Sequence, residues 1–360
     1  MALFQPFPRL WTQPNWIRNL ELSVPFVERD YHIQSMEQVL MDTLGATRIA
    51  ETIVIALTTE LQSSYGIENE YLDETLLYSS VIQELNLEPP EWRQHVRQQT
   101  RESNIVAASV QFLRDLIPMT PSSLCYTHGM MDSTPRAKWG AFRTCPIYVV
   151  SGKGEVVYEG PLPEQVPAMM EQFCDWWNND RVKLPLSARA ACAHAFFVLI
   201  HPFEDGNGRM SRLLAEKALI TSKKDIFRPY GMSRVILSAR KQYAFLLQHI
   251  HDPVNANGID GFGKFVNFIQ DVREQAITRS IENAKKLMQL EELFSRMYDE
   301  GIDLSPDERT ILKTMNESSR RWTRYEATLK IEDPQAGVTA WNHLIELGVI
   351  QKSRIQFNRV

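Results

Sequence analysis

Residues 201 to 212 read His-Pro-Phe-Glu-Asp-Gly-Asn-Gly-Arg-Met-Ser-Arg, and they concentrate the chemistry of the chain. His201 carries an imidazole that can take a proton from a hydroxyl near neutrality. Asp205 is a hard oxygen ligand, suited to a Mg²⁺ that bridges phosphates. Gly206 and Gly208 allow backbone conformations barred to residues with a Cβ, so the Gly206-Asn207-Gly208 turn can aim N–H groups at an anion. Arg209 and Arg212 are three residues apart and share a helix face. Both can grip phosphate oxygens with a planar fork. A base, a metal ligand, an anion-binding turn and a charge clamp in one loop suit an enzyme that handles a nucleotide polyphosphate.

These side chains need elements to hold them. The apolar run 187–200 predicts a helix that delivers His201, and Pro202 is placed to end it. A second helix is expected over 207–221. Apolar periodicity predicts further helices at 33–62, 73–85, about 90–116, 164–178, 236–251 and 260–298. A polar break is expected at Ser63-Ser64-Tyr65-Gly66. Ile147 to Val150, a Gly-containing turn at Ser151–Gly154, and Val156-Val157-Tyr158 read as a hairpin. Residues 1 to 30, with Pro6, Pro8, Trp11, Pro14 and Trp16, read as an irregular arm. Ser305-Pro306-Asp307-Glu308 is a helix start with proline at the first helical position and acids in the first turn. Helices near 306–316, 323–330 and 334–347, then a short strand pair to 357, give a winged-helix reading. The fold class is mainly α, with one hairpin.

Bulk properties limit the function classes. At 360 residues the chain fits two or three domains, and 44% hydrophobic with 23% charged residues is ordinary for a globular protein. A net charge of −5 gives no global basic field to draw in nucleic acid or anionic lipid. Cys125, Cys145, Cys174 and Cys192 form no CxxC pair, which favours a reducing compartment over a disulfide or zinc framework. The N-terminus has no signal-peptide pattern and no apolar run approaches the ~20 residues that span a bilayer. A cytoplasmic protein away from the membrane is the expectation.

The 201–212 segment resembles the signature of the Fic (filamentation induced by cAMP) family, H-P-F-x-[D/E]-G-N-G-R-x-x-R, with no departure at any defined position. Nine fixed positions arise by chance in roughly one window in 10¹¹–10¹², so the match outweighs that of most short motifs. The resemblance covers about 35–275. It implies a Fic-type helical bundle with a hairpin flap, and transfer of AMP from ATP to a Ser, Thr or Tyr hydroxyl of a protein. It implies His201 as general base and Asp205 as the Mg²⁺ ligand. Gly206, Asn207 and Gly208 would form the anion hole, and Arg209 and Arg212 would hold the outer phosphates. Kinases of the Doc type carry Lys where this chain has Gly208, which points to AMP transfer rather than phosphorylation. The hairpin, about Val149 to Glu159, would be the flap that aligns a target segment by strand addition. Tyr243 sits where family members place a tyrosine near the adenine.

Ser64-Tyr65-Gly66-Ile67-Glu68-Asn69 matches the family's inhibitory pattern, [S/T]-x-x-x-E-[G/N]. A similar run at Ser80–Glu84 fails, because Leu85 replaces the Gly or Asn. By this resemblance Glu68, as a buried carboxylate, pairs with Arg212 and competes with the γ-phosphate for one guanidinium.

The resulting domain expectation is an arm at 1–34, then a helical region with the inhibitory motif at 35–120. The Fic core with flap and catalytic loop takes 121–275, a linking helix 276–304, and a winged-helix-like domain 305–360. The motif Trp11-Thr12-Gln13-Pro14-Asn15-Trp16 and that C-terminal domain resemble one bacterial Fic subfamily. Basic and acidic residues nearly balance over 305–357, which favours protein–protein or structural use over DNA binding, although Arg320, Arg321 and Arg324 cluster. The partners expected are a target protein, the chain itself as an auto-AMPylation target, and a second copy, since family members often dimerise. Two alternatives stay open. One is a Fic enzyme that uses another nucleotide donor or removes AMP. The other is a non-catalytic, nucleotide-sensing regulator that binds DNA through the winged helix.

Overall fold

The computed structural model describes residues 24–87, 99–131, 138–150, 154, 156–179, 181–222, 226–250, 260–316, 327–328, 331 and 333–350. It divides into two units, 1–41 with 45–277 and 42–44 with 278–360. Helices dominate both, as the apolar periodicity predicts.

The first unit is built around α6 (Leu186–Ile200), whose Ala- and Phe-rich sequence is apolar on every face and therefore lies inside. Helix α7 (Asn207–Ala218) packs along it after the 201–206 loop. Helix α5 (Val166–Asn179) adds Phe173 and Trp176, which meet Phe197 and Phe196 of α6 edge-on, while Trp177 tilts against Phe173 on α5 itself. Helix α1 (Val24–Ile67) begins earlier than expected, so 24–30 are helical rather than irregular. Pro25 is tolerated there because the first helical turn has no intrahelical N–H bonds to lose. The rest of the expected arm lies outside the described residues.

Helix α1 is interrupted at Gly45, where φ is 60° and ψ −179°. Its second part carries Val54, Leu57, Leu61 and Tyr65 into a core shared with α2 (Glu74–Glu84) and α3 (Arg101–Arg114). The expected break at Ser63–Gly66 is absent, and the helix runs through to Ile67. Ser64 and Tyr65 are buried there because they meet buried arginines, as described below. Helix α4 (Pro121–Met131) escaped the periodicity reading, although Thr120 and Ser123 cap it reciprocally. Strands β1 (Tyr148–Val150) and β2 (Val156–Glu159) form the expected antiparallel hairpin, with Tyr148 opposite Glu159 and an irregularity after Val149. The expected helix over 236–251 is two helices, α8 (Ser233–Ser238) and α9 (Arg240–Gln248), separated at Ala239.

Helix α10 (Gly261–Asp299) begins in the first unit. There Arg273, fully buried, pairs with Asp30 and Glu37 of α1 at 2.9 Å each, and Asp30 also accepts the Ser187 N–H at 3.1 Å. This network fixes the N-terminus of α6. In the second unit α10 joins α11 (Pro306–Asn316) and α12 (Pro334–Glu346) around Leu290, Ile311, Leu312, Trp341 and Leu344. Ser305 and Glu308 cap α11 as its sequence predicts. Most of the expected middle helix and the strand pair that would make the wing lie outside the described residues. Among the described residues, no helix is long and apolar enough to cross a membrane.

Candidate active site

His201 is the last residue α6 delivers, and it adopts a left-handed conformation (φ 50°, ψ 59°) that turns the chain out of the helix. Its N–H still bonds back to the Phe197 carbonyl at 2.9 Å. Nδ1 lies 3.1 Å from the Val198 carbonyl, which can only accept, so Nδ1 carries the proton and Nε2 keeps its lone pair. Burial pushes the imidazole down to about 4, against smaller opposing effects of the Val198 carbonyl and the Glu68 and Asp205 carboxylates. At neutral pH the ring is therefore an uncharged base with a fixed tautomer.

The loop after His201 is closed by a side chain. Asn207 donates to the Phe203 carbonyl at 2.8 Å and accepts the Phe203 N–H at 3.0 Å. It thus shapes the loop through its side chain, and only its backbone is left for an anion. Gly206 has φ 78° and starts α7. The N–H groups of the first turn have no carbonyl one turn back, and the helix dipole adds positive potential at the same point. Asp205, nearly half exposed, accepts the Gly206 N–H at 2.6 Å and sits 3.2 Å from Arg209 Nη2. Among the described residues no three His, Cys, Asp or Glu side chains gather as a metal cage. A cation here would rest on Asp205 and on phosphate oxygens, the donor set Mg²⁺ commonly takes.

Both arginines of α7 are buried. Arg209 lies between Tyr65 and Trp139, with its guanidinium carbon 4.9 and 5.2 Å from the ring centroids. Arg212 is 2% exposed; its Nε donates to Ser64 Oγ and its Nη2 to the Ser64 carbonyl, each at 2.8 Å. Nη2 also donates to Glu68 Oε1 at 2.9 Å. Among the described residues Nη1 has no hydrogen-bond partner. A Cβ added at Gly208 would lie 3.1 Å from that Nη1 and would fall on the Glu68 carboxylate. The Glu68 head therefore sits over the first turn of α7, where an anion would go.

The Ser64–Asn69 segment has a physical reason for each of its three defined positions. Ser64 satisfies the buried Arg212 from the last turns of α1. Glu68, one helical turn on, reaches the same guanidinium. Asn69 takes φ 61°, the left-handed conformation that only Gly and Asn adopt readily, and so ends the helix. Glu68 itself is 40% exposed, so the expected buried carboxylate is corrected: the buried member of the pair is the arginine. Two residues further, Glu70 approaches Arg209 Nη1 at 3.3 Å and also pairs with Arg101.

Sequence reasoning missed the walls of this loop, because they come from distant elements. Gly140 donates its N–H to His128 Nδ1 at 3.0 Å, so Nε2 bears the proton and donates to the Asp205 carbonyl at 3.0 Å. The His128 ring is stacked between Phe203 and Trp139. The flap lies on the other side, where Tyr158 donates to the Leu199 carbonyl and its ring is 6.4 Å from that of His201. Tyr243 is buried on α9 with its hydroxyl 2.8 Å from His194 Nε2, and burial pushes the phenol up to about 12. It packs in the core behind Arg212 rather than presenting an open ring face.

The Fic/DOC family pattern matches residues 118–219, which contain α4, the flap, α6, the catalytic loop and α7. Over these residues the chain is similar to the Fic family. Over 143 residues it is 39% identical to the protein adenylyltransferase fic-1 of Caenorhabditis briggsae, and over 139 residues 34% identical to the protein adenylyltransferase Fic of Drosophila willistoni. These stretches cover 39% and 38% of this chain but only 24% of each relative. A Fic family protein from Desulfovibrio desulfuricans G20 shares the fold over 93% of both chains, with a TM-score of 0.54 at 18% identity. Caenorhabditis elegans Fic-1 (residues 134–508) shares it over 72% of this chain and 73% of its own, with a TM-score of 0.50 at 22% identity.

Proposed function

We propose that this chain is a Mg²⁺-dependent protein adenylyltransferase held off by its own Glu68. An acceptor hydroxyl of Ser, Thr or Tyr attacks the α-phosphorus of ATP. The new O–P bond forms as the bond to the bridging oxygen breaks, and pyrophosphate leaves. The hydroxyl proton goes to Nε2 of His201, whose lone pair is left free because Nδ1 is pinned to the Val198 carbonyl. Positioned proton transfer of this kind contributes about 10²–10⁴-fold. The first-turn amides at 206–208, with Arg209 and Arg212, would bind the phosphates. Asp205 would hold Mg²⁺, which would neutralise charge on those oxygens. The names of the relatives, protein adenylyltransferases, support ATP as donor and a protein as acceptor.

The observation that carries this reading is the Glu68 carboxylate at 2.9 Å from Arg212, seated over Gly208. An enzyme whose phosphate-binding arginine is already satisfied by an internal carboxylate is an enzyme at rest. Incubation with ATP labelled on the α-phosphate is the test. The Glu68→Gly variant should label protein, and the additional His201→Ala change should abolish the label. Label from γ-phosphate instead, or none from either position, would overturn the reading.

A further inference from the structure

Arg143 is a buried guanidinium that, among the described residues, has no carboxylate partner and spends its donors on three backbone carbonyls. Nε donates to the His201 carbonyl at 2.7 Å. Nη1 donates to the Cys145 carbonyl at 3.0 Å and Nη2 to the Pro161 carbonyl at 2.6 Å. Cys145 leads into β1 and Pro161 follows β2, so one side chain holds both feet of the flap and the residue of the candidate base. The Arg143 N–H adds a fourth tie, to the Pro202 carbonyl at 2.9 Å. The feet are themselves joined, because Gly160 donates its N–H to the Ile147 carbonyl at 3.1 Å. Gly160 is pressed between these groups. A Cβ there would come within 2.7 Å of Ile147 Cγ2 and 3.1 Å of Arg143 Nη2.

Burying a cation without an opposite charge costs stability, so a plain structural brace would be better made from uncharged groups. Only arginine, however, offers five donors spread in a rigid plane, enough to reach three carbonyls on three segments at once. We propose that Arg143 is a positioning residue that fixes the height and register of the flap against His201. It thereby sets where an acceptor hydroxyl on a strand docked to the flap arrives. The proposal rests on the adenylyl-transfer reading above. Its hydrogen bonds go to the flap and the end of α6, and none goes to the 206–212 turn, so it acts on the acceptor side and not on the nucleotide side.

The test uses the full chain in the Glu68→Gly background, with Arg143→Lys and, from the opposite face of the clamp, Gly160→Ala. Three quantities are read: labelling by α-labelled ATP of the chain itself and of lysate proteins, Mg²⁺–ATP affinity by calorimetry, and amide hydrogen exchange. A misplacement of about 1 Å costs about 10²-fold in rate, so labelling should fall by at least about tenfold. Exchange should quicken by about tenfold in 148–150 and 156–159 and stay unchanged in 186–200. ATP affinity should stay within about threefold of the parent. Unchanged labelling and flap exchange in Arg143→Lys, or ATP affinity falling in step with labelling, would overturn the proposal. If Arg143→Lys does not fold, Gly160→Ala is measured by the same three readouts, and the same outcomes support or overturn the proposal. If the Glu68→Gly parent itself labels nothing, the adenylyl-transfer reading fails, while flap exchange still reports whether Arg143 holds the hairpin.

Discussion

Asn69 is the residue through which helix geometry, and no direct contact with nucleotide, should control the enzyme. Its φ of 61° closes α1 immediately after Glu68. Its side chain also accepts from Arg240 Nη1 at 2.6 Å, on an exposed surface. Glycine adopts this conformation freely and loses only the exposed hydrogen bond. An ordinary residue such as Ala is strained there by roughly 1 kcal/mol, and a β-branched one such as Val by roughly 1–2 kcal/mol or more. That strain exists only while the α1 terminus, and with it Glu68, keeps its present shape. One to two kcal/mol against the closed form is a factor of about 5–30 in its population relative to open forms. Basal labelling from α-labelled ATP should therefore rank Asn69→Gly close to wild type, Asn69→Ala several-fold higher, and Asn69→Val highest. Thermal unfolding run in parallel should show at most a small decrease, since the change is local. Equal labelling by Asn69→Gly and Asn69→Val would refute the reasoning, because the lock would then be indifferent to backbone strain beside Glu68.

Further outcomes follow from neighbouring contacts. Glu68→Gln keeps the shape and removes the charge facing Arg212; labelling should rise, but less than in Glu68→Gly, when the two are timed side by side. Tyr243→Phe removes the nearer partner of buried His194 Nε2, at 2.8 Å, and leaves only the long Ser211 Oγ contact at 3.4 Å; among the described residues Nδ1 already lacks a partner. It should lower stability by about 1–3 kcal/mol in denaturant titration. His194 and His201 are both held by burial below their unfolded value, at about 3 and about 4. Below about pH 6.5 the unfolded chain binds protons that the folded chain refuses, so their contribution is intact above 6.5 and is lost as pH falls toward 4. Unfolding free energies measured from pH 7 to 4.5 should decline less steeply in His201→Ala than in wild type.

Much of the fold was legible because its helices are long and strongly periodic. Helices α7 and α10 are examples, α6 was legible as an unbroken apolar run, and the hairpin was marked by its β-branched run around a Gly-containing turn. The α1 terminus misled for an instructive reason: Ser63, Ser64 and Gly66 look like a helix break, yet Ser64 is needed inside to satisfy Arg212. Helix α4 was announced by Thr120-Pro121, a cap followed by proline at the first helical position, a signal weaker than apolar periodicity over so short a span. The 201–212 loop was readable because its residues are contiguous. His128, Trp139 and Arg143 were not, since no spacing in the sequence ties them to a loop sixty or seventy residues away, and only the packing of α4 and the flap brings them there.

The central claim is that a competent adenylyl-transfer site is blocked by Glu68. Intact-mass analysis of wild type, Glu68→Gly and the Glu68→Gly, His201→Ala double variant, each incubated with Mg²⁺, ATP and a cell lysate, tests it most directly. The account predicts adenylyl adducts on protein with Glu68→Gly, at least tenfold fewer with wild type, and none with the double variant. Equal adducts from wild type and Glu68→Gly, or adducts that survive loss of His201, would contradict it.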